Sequence, residues 1–156
     1  MDNRLFIVCP FSCMETFLQY KYGHDIYFLT YSGAIVQNQE SEFIAKVEEF
    51  IFRESIKSIY IVNDTSCRFI NGIINKNTLF GLSSEKVMEA LYIEHYFSEF
   101  KDQSLCNQKY KLAELNVKNQ IKVMLNSPLL GSCIAKFDIE VKGIITSREK
   151  ELCQLI

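Results

Sequence analysis

Apolar and polar residues fall along the chain in blocks whose periods predict the elements. Residues 5–9 (L-F-I-V-C) form an unbroken apolar run that stops at Pro10, the pattern of a strand buried on both faces. Residues 14–22 fit a short helix closed by Gly23, and residues 25–31 (D-I-Y-F-L-T-Y) a second strand broken at Ser32 and Gly33. Between residues 41 and 55 the apolar positions Phe43, Ile44, Val47, Phe50 and Ile51 share one face of an amphipathic helix. A third strand follows at residues 58–63, rich in β-branched and aromatic side chains. This alternation of strand and helix predicts βαβ units. The expected fold class is therefore α/β, with a mostly parallel central sheet flanked by helices in three layers.

The third strand runs into Asn63, Asp64, Thr65 and Ser66, small polar residues that favour turns and helix starts, and then Cys67. A helix is predicted over residues 67–75. Another covers residues 83–100, with Val87, Leu91, Tyr92, His95 and Tyr96 facing inward, and a third spans residues 108–126, closed by Ser127 and Pro128. Residues 136–146 alternate at Phe137, Ile139 and Val141, as a half-exposed strand does, and the last ten residues are of mixed pattern. There is no internal repeat or linker, so residues 1–156 are expected to form a single domain.

Composition narrows the function classes. A hydrophobic fraction of 48% with net charge −2 fits a globular protein and gives no basic face for nucleic acid. Lys109, Lys111, Lys118 and Lys122 alternate with Glu114 and read as a solvated helix face. No apolar stretch approaches the roughly 20 residues of a membrane span, and the first apolar run is too short for a secretory signal. No membrane association is expected, and the expected location is the cytoplasm. In that reducing compartment the six cysteines are buried small hydrophobes, metal ligands or reactive thiols, and without a paired C-x-x-C they exclude a zinc ribbon. His95, among aromatic residues in mid-helix, reads as a packing residue, and His24 as an exposed turn residue.

Candidate chemistry sits where strands end. The first strand finishes at Cys9 and the third just before Cys67. If the two are parallel neighbours, their carboxyl ends meet at one crevice. Cys9, Asp64 and Cys67 then offer two sulfurs and a carboxylate, and three protein ligands with an open fourth position is the pattern of a catalytic zinc site. Plainer readings stay open beside this one. The two cysteines are also read as buried strand-end residues inherited with the fold, and Asp64 as the N-cap of the following helix. Cys13 is a second candidate ligand, or a disulfide partner for Cys9.

These residues resemble the β-class carbonic anhydrases. The family's first strand ends in C-x-D-x-R, and here Cys9, Pro10, Phe11, Ser12 and Cys13 stand at that place. Its second strand, roughly D-L-F-V-V-R-N-A-G-N, is matched by residues 25–34, and its G-H-x-x-C by Asn63, Asp64, Thr65, Ser66 and Cys67. The family's A-E-x-N-V-x-x-Q helix is matched by Ala113, Glu114, Asn116, Val117 and Gln120, and its last strand by residues 139–145 around Gly143. The resemblance implies a zinc ion held at Cys9, Asp64 and Cys67, with Asp64 in place of the family's histidine. It also implies a homodimer. It places Phe11 and Cys13 at the positions of the family's Asp–Arg dyad, where neither can supply a carboxylate or a permanent positive charge. No catalytic residue is therefore assigned.

The expected function is that of a carbonic anhydrase-like protein with little or no carbon dioxide hydration, working by binding or association. The alternative is a zinc-dependent lyase or hydrolase with a modified Cys-Asp-Cys site. A doubly wound nucleotide-binding domain ranks last, because Pro10, Phe11 and Ser12 stand where its glycine-rich turn belongs.

Overall fold

A computed structural model describes residues 2–36, 41–77, 80–147, 150 and 152–156. Its centre is a sheet in the order β2-β1-β3-β4-β5, formed by β1 (Asn3–Val8), β2 (Ile26–Thr30), β3 (Ile56–Asp64), β4 (Glu140–Ser147) and β5 (Leu152–Leu155). The first four strands are parallel, and β5 runs antiparallel to β4. Helices α1 (Glu15–Tyr22) and α2 (Ser41–Arg53) make the first two crossovers. Helices α3 (Arg68–Ile74), α4 (Ser83–Glu94), α5 (Leu105–Asn126) and α6 (Leu130–Lys136) lie between β3 and β4. The α/β class and the mostly parallel sheet flanked by helices are as expected.

Strand pleating sorts β1 onto two faces. Phe6 and Val8 pack with Met14, the N-cap of α1, and Leu18 of α1, together with Tyr60 and Val62 of β3. Leu5 and Ile7 face the other way, onto Ile44 and Ile51 of α2, Val117 and Met124 of α5, and Ile134 of α6. Burial on both faces explains why β1 and β3 read as continuous apolar runs. A third apolar cluster, holding Cys9, Cys67, Phe69, Ile70, Met88, Phe100 and Leu112, closes the carboxyl end of the sheet beneath α3, α4 and α5.

Several expectations need correction. The predicted helix over residues 83–100 is α4 followed by a π-helical turn, Tyr96–Phe100, with His95 as the C-cap of α4. The change of pitch rotates the face, so Tyr96 is exposed while Met88 and Phe100 are buried. Residues 136–138 are not strand. Helix α6 occupies the preceding stretch, and β4 starts at Glu140 with Gly143 to Thr146 buried in succession, because β5 makes it an interior strand. The mixed tail supplies that edge strand.

Helix α5 starts at Leu105, three residues earlier than its apolar pattern suggests, because Ser104 caps it by accepting a hydrogen bond from the Asn107 N–H at 3.2 Å. Replacing Ser104 with alanine is expected to lower stability by about 1 kcal/mol, read as a shift in the urea midpoint at unchanged slope. On the exposed side of α5, Lys111 and Lys118 pair with Glu114, as the charge pattern predicts. His95 is half-buried with Nδ1 3.0 Å from the Leu91 carbonyl, and His24 is exposed, both as expected. No helix among the described residues is long and apolar enough to cross a membrane.

Candidate functional site: a buried thiol pair

Adjacent parallel pairing of β1 and β3 brings Cys9 and Cys67 to the same end of the sheet, each 1% exposed. Each is the strongest influence on the other's titration. Cys9 Sγ also accepts the Gly33 N–H at 3.1 Å. Hydrogen bonding from the Cys67 thiol does most to pull the Cys9 thiol down, to about 7, against the opposing effect of burial. The backbone N–H groups of Gly33, Phe11 and Ala34 add to that pull. Cys67 is pushed up, first by its hydrogen bond to Cys9 and then by burial and the Cys9 charge. Of the pair, Cys9 is the thiol that gives up its proton first, and Cys67 the one that keeps it.

The peptide that serves Cys9 is held from behind by amides. Gly33 sits in a 3₁₀ turn at φ 68°, a left-handed conformation that glycine adopts without strain. Its carbonyl accepts from Asn63 Nδ2 at 3.0 Å and from Asn116 Nδ2 at 2.8 Å. Asn116 Nδ2 also donates to Asn63 Oδ1 at 2.7 Å, and Gln120 Oε1 accepts the Val36 N–H at 3.2 Å. Asn63, Asn116 and Gln120 are all essentially buried. Helix α5 thereby fixes the turn after β2 and aims the Gly33 N–H at the sulfur. Asn116 Oδ1 meets no donor among the described residues.

Asp64 is at the end of β3 and 1% exposed. Its Oδ2 accepts the Thr146 hydroxyl of β4 at 2.7 Å, and its Oδ1 accepts the Ser66 N–H at 2.8 Å. The second bond makes an Asx turn that leads the chain into α3. Asp64 is not the N-cap of α3; that position belongs to Cys67. Among the described residues no three Cys, His, Asp or Glu side chains form a group that could hold a metal ion. Cys9, Asp64 and Cys67 are not drawn together into one such group. Two sulfurs are in place, and the carboxyl group that would complete the set is engaged by Thr146 and Ser66.

Phe11 stacks on Phe80 with ring centroids 4.0 Å apart and on Phe69 at 6.2 Å, against the same apolar cluster that holds the two thiols. Cys13 is exposed at φ 52°, its thiol 3.9 Å from the Pro10 carbonyl. From this turn Ser12 donates both its hydroxyl and its N–H to the Cys9 carbonyl. Sequence reasoning found Cys9 and Cys67 but missed Gly33, Thr146 and the buried amide network. For Asn116 and Gln120 the readable signal was a pair of amides four apart on a helix, next to the buried Val117.

No protein-family model and no curated protein matches the chain by sequence. Solved structures do match by shape. A structure from work on two tetrameric β-carbonic anhydrases of Sordaria macrospora superposes with a TM-score of 0.82 at 20% identity, over 99% of this chain and 80% of that one. A β-carbonic anhydrase of Aspergillus fumigatus gives 0.81 at 20% identity, over 99% and 75%. A Coccomyxa β-carbonic anhydrase in complex with acetazolamide gives 0.79 at 17% identity, over 99% and 72%. With this strand order and this coverage, the chain has the β-carbonic anhydrase fold.

Proposed function

We propose that this is a carbonic anhydrase-like protein in which hydration of carbon dioxide is lost or close to background, and which acts by binding or association. The observation that carries the reading is the engagement of Asp64 by Thr146 and Ser66. Hydration by a metal needs a full ligand set to bring bound water to a pKa near 7 and a group to orient it. Here the two sulfurs lack a third donor group among the described residues. Phe11 adds a stacked aromatic wall where the resemblance implies a carboxylate. Stopped-flow assay of protein purified without chelator and supplied with zinc is expected to give the uncatalysed rate. A rate well above it would overturn the proposal.

A second reading keeps a zinc-dependent lyase or hydrolase with Cys9, Asp64 and Cys67 as ligands. It is favoured by the proximity of the thiols and by the thiolate that Cys9 offers near neutral pH, the form that binds metal. Asp64 would have to turn toward the two sulfurs from its place against Thr146 and Ser66. Metal analysis separates the two readings. Zinc is expected to be absent from wild type and from Cys67→Ser alike, whereas one zinc per chain lost in Cys67→Ser would establish the second.

Homodimerisation is part of the same proposal. Strand β2 is the outermost strand at one side of the described sheet, and a parallel sheet usually has both faces and edges covered. The short α1 covers Phe6 and Val8 on one face through a single buried side chain, Leu18. Sedimentation at micromolar concentration is expected to give twice the 18.2 kDa of one chain, and a monomer mass would count against it.

A further inference from the structure

Away from the thiol pair, a cavity of about 410 Å³ opens between the start of α5 and the carboxyl ends of β3 and β4. We propose that it binds a small organic anion, with the anionic oxygens held by Lys109 and Lys150 and the apolar body against Leu105, Ile145 and the ring of Tyr110. Its volume is that of a small-molecule site, and the carboxyl ends of parallel strands are where open α/β sheets receive ligands. None of Cys9, Cys67 or Gly33 lines it.

The charge distribution selects an anion. Both lysines line the cavity, and neither is ion-paired with a described carboxylate. The contrast with their neighbours is direct, because Lys111 and Lys118 on the same helix are tied to Glu114. The described contact of the Lys150 ammonium is with Cys106 Sγ at 3.7 Å, a weak partner that an anionic oxygen would replace at a gain. Leu105 and Cys106 line the cavity as the first residues of the 22-residue α5, whose first turn carries no acidic residue, so the positive end of the helix adds to the two ammonium groups. No described carboxylate lines the cavity, and Thr65, Ser66 and Ser147 offer hydroxyl donors. The apolar wall distinguishes the ligand from a bare inorganic ion, since Leu105, Ile145 and the Tyr110 ring would gain nothing from one.

Benzoate, phenyl phosphate and inorganic phosphate are the probes, titrated calorimetrically into the full chain. Cys106 is exposed on the cavity wall, so its alkylation by iodoacetamide, followed by peptide mass mapping, gives a second readout of occupancy. Phenyl phosphate, benzoate or both are expected to bind saturably at one site and to slow labelling of Cys106. The tighter of the two identifies phosphate or carboxylate as the recognised group. Lys109→Gln and Lys150→Gln should each weaken binding roughly tenfold, with Arg at either position retaining it. The proposal is overturned if neither aromatic anion binds saturably at millimolar concentration, or if both Gln variants bind like wild type. It is equally overturned if inorganic phosphate binds as tightly as phenyl phosphate.

Discussion

Replacing Gly143 with alanine is expected to cost the fold roughly 3 kcal/mol, a loss that shortening Val117 should partly restore. Gly143 lies opposite Ile61 in the β3–β4 ladder, with α5 directly on top of it. A Cβ at this position would stand 2.3 Å from Val117 Cγ1 and 3.2 Å from Ile121 Cδ1, where carbon atoms normally rest about 3.5–4.0 Å apart. Val117 is fully buried, and a β-branched side chain in a helix has one strongly preferred rotamer, so it cannot swing aside. Nor can α5 retreat cheaply. The preceding residue is Asn116, and lifting it would break its bonds to the Gly33 carbonyl and to Asn63. Urea unfolding of wild type, Gly143→Ala, Val117→Ala and the double variant checks this as a cycle. The double variant should be clearly more stable than the sum of the single losses implies. Strict additivity, or a Gly143→Ala loss below about 0.5 kcal/mol, would refute the close approach.

Stability should also rise by on the order of 2 kcal/mol between pH 7 and pH 9, and that rise should disappear in Cys9→Ser. Folding depresses the Cys9 thiol from an ordinary 9.0 to about 7, so across this window the unfolded chain binds more protons than the folded one. The stabilisation is fully present above the unfolded value and is lost as pH falls through 7. Cys67 acts with the opposite sign. Its folded-state value is raised, so above pH 9 it holds its proton while the unfolded chain releases one, and stability turns down again. The difference between wild-type and Cys9→Ser stability curves isolates the effect from other titrating groups. Thiolate absorbance should show a midpoint near pH 7 that moves upward in Cys67→Ala, because the largest cause of the depression is then gone. A flat difference curve would remove the thiolate assignment.

What could be read from the chain follows from how local each signal is. Strands β1 and β3 declare themselves because they are central, and an interior strand is apolar at every position rather than every second one. The same rule explains the error at β4. Phe137, Ile139 and Val141 alternate by accident, the first as the C-cap of α6 and the second in the loop that follows, and the buried run of the true strand begins two residues later. The stretch L-G-S-C-I-A-K carries no strong helical stripe, so α6 was not visible. At the site, Cys9 and Cys67 were found because strand ends converge in this topology. The commitments of Asp64 were not, because its hydroxyl partner lies 82 residues away in a strand whose place in the sheet no local pattern gives. Asn116 was recognised only through a family-like helix motif. Its work, holding the Gly33 peptide 83 residues away, is a tertiary fact.

The long excursion between β3 and β4 bears on how the chain comes to fold. Strands β1, β2 and β3 close their ladders within the first 64 residues, whereas β4 reaches its partner only after α3 to α6 have been made. On a ribosome, β3 therefore emerges as a temporary edge whose residues Ser58 to Asp64 are all destined for burial. Such an unpaired apolar edge is a template for pairing with another nascent chain. Closing the β3–β4 ladder carries the largest loop-closure cost in the sheet, which makes this late step the natural barrier to folding and the interval in which the growing chain is most exposed to misassembly.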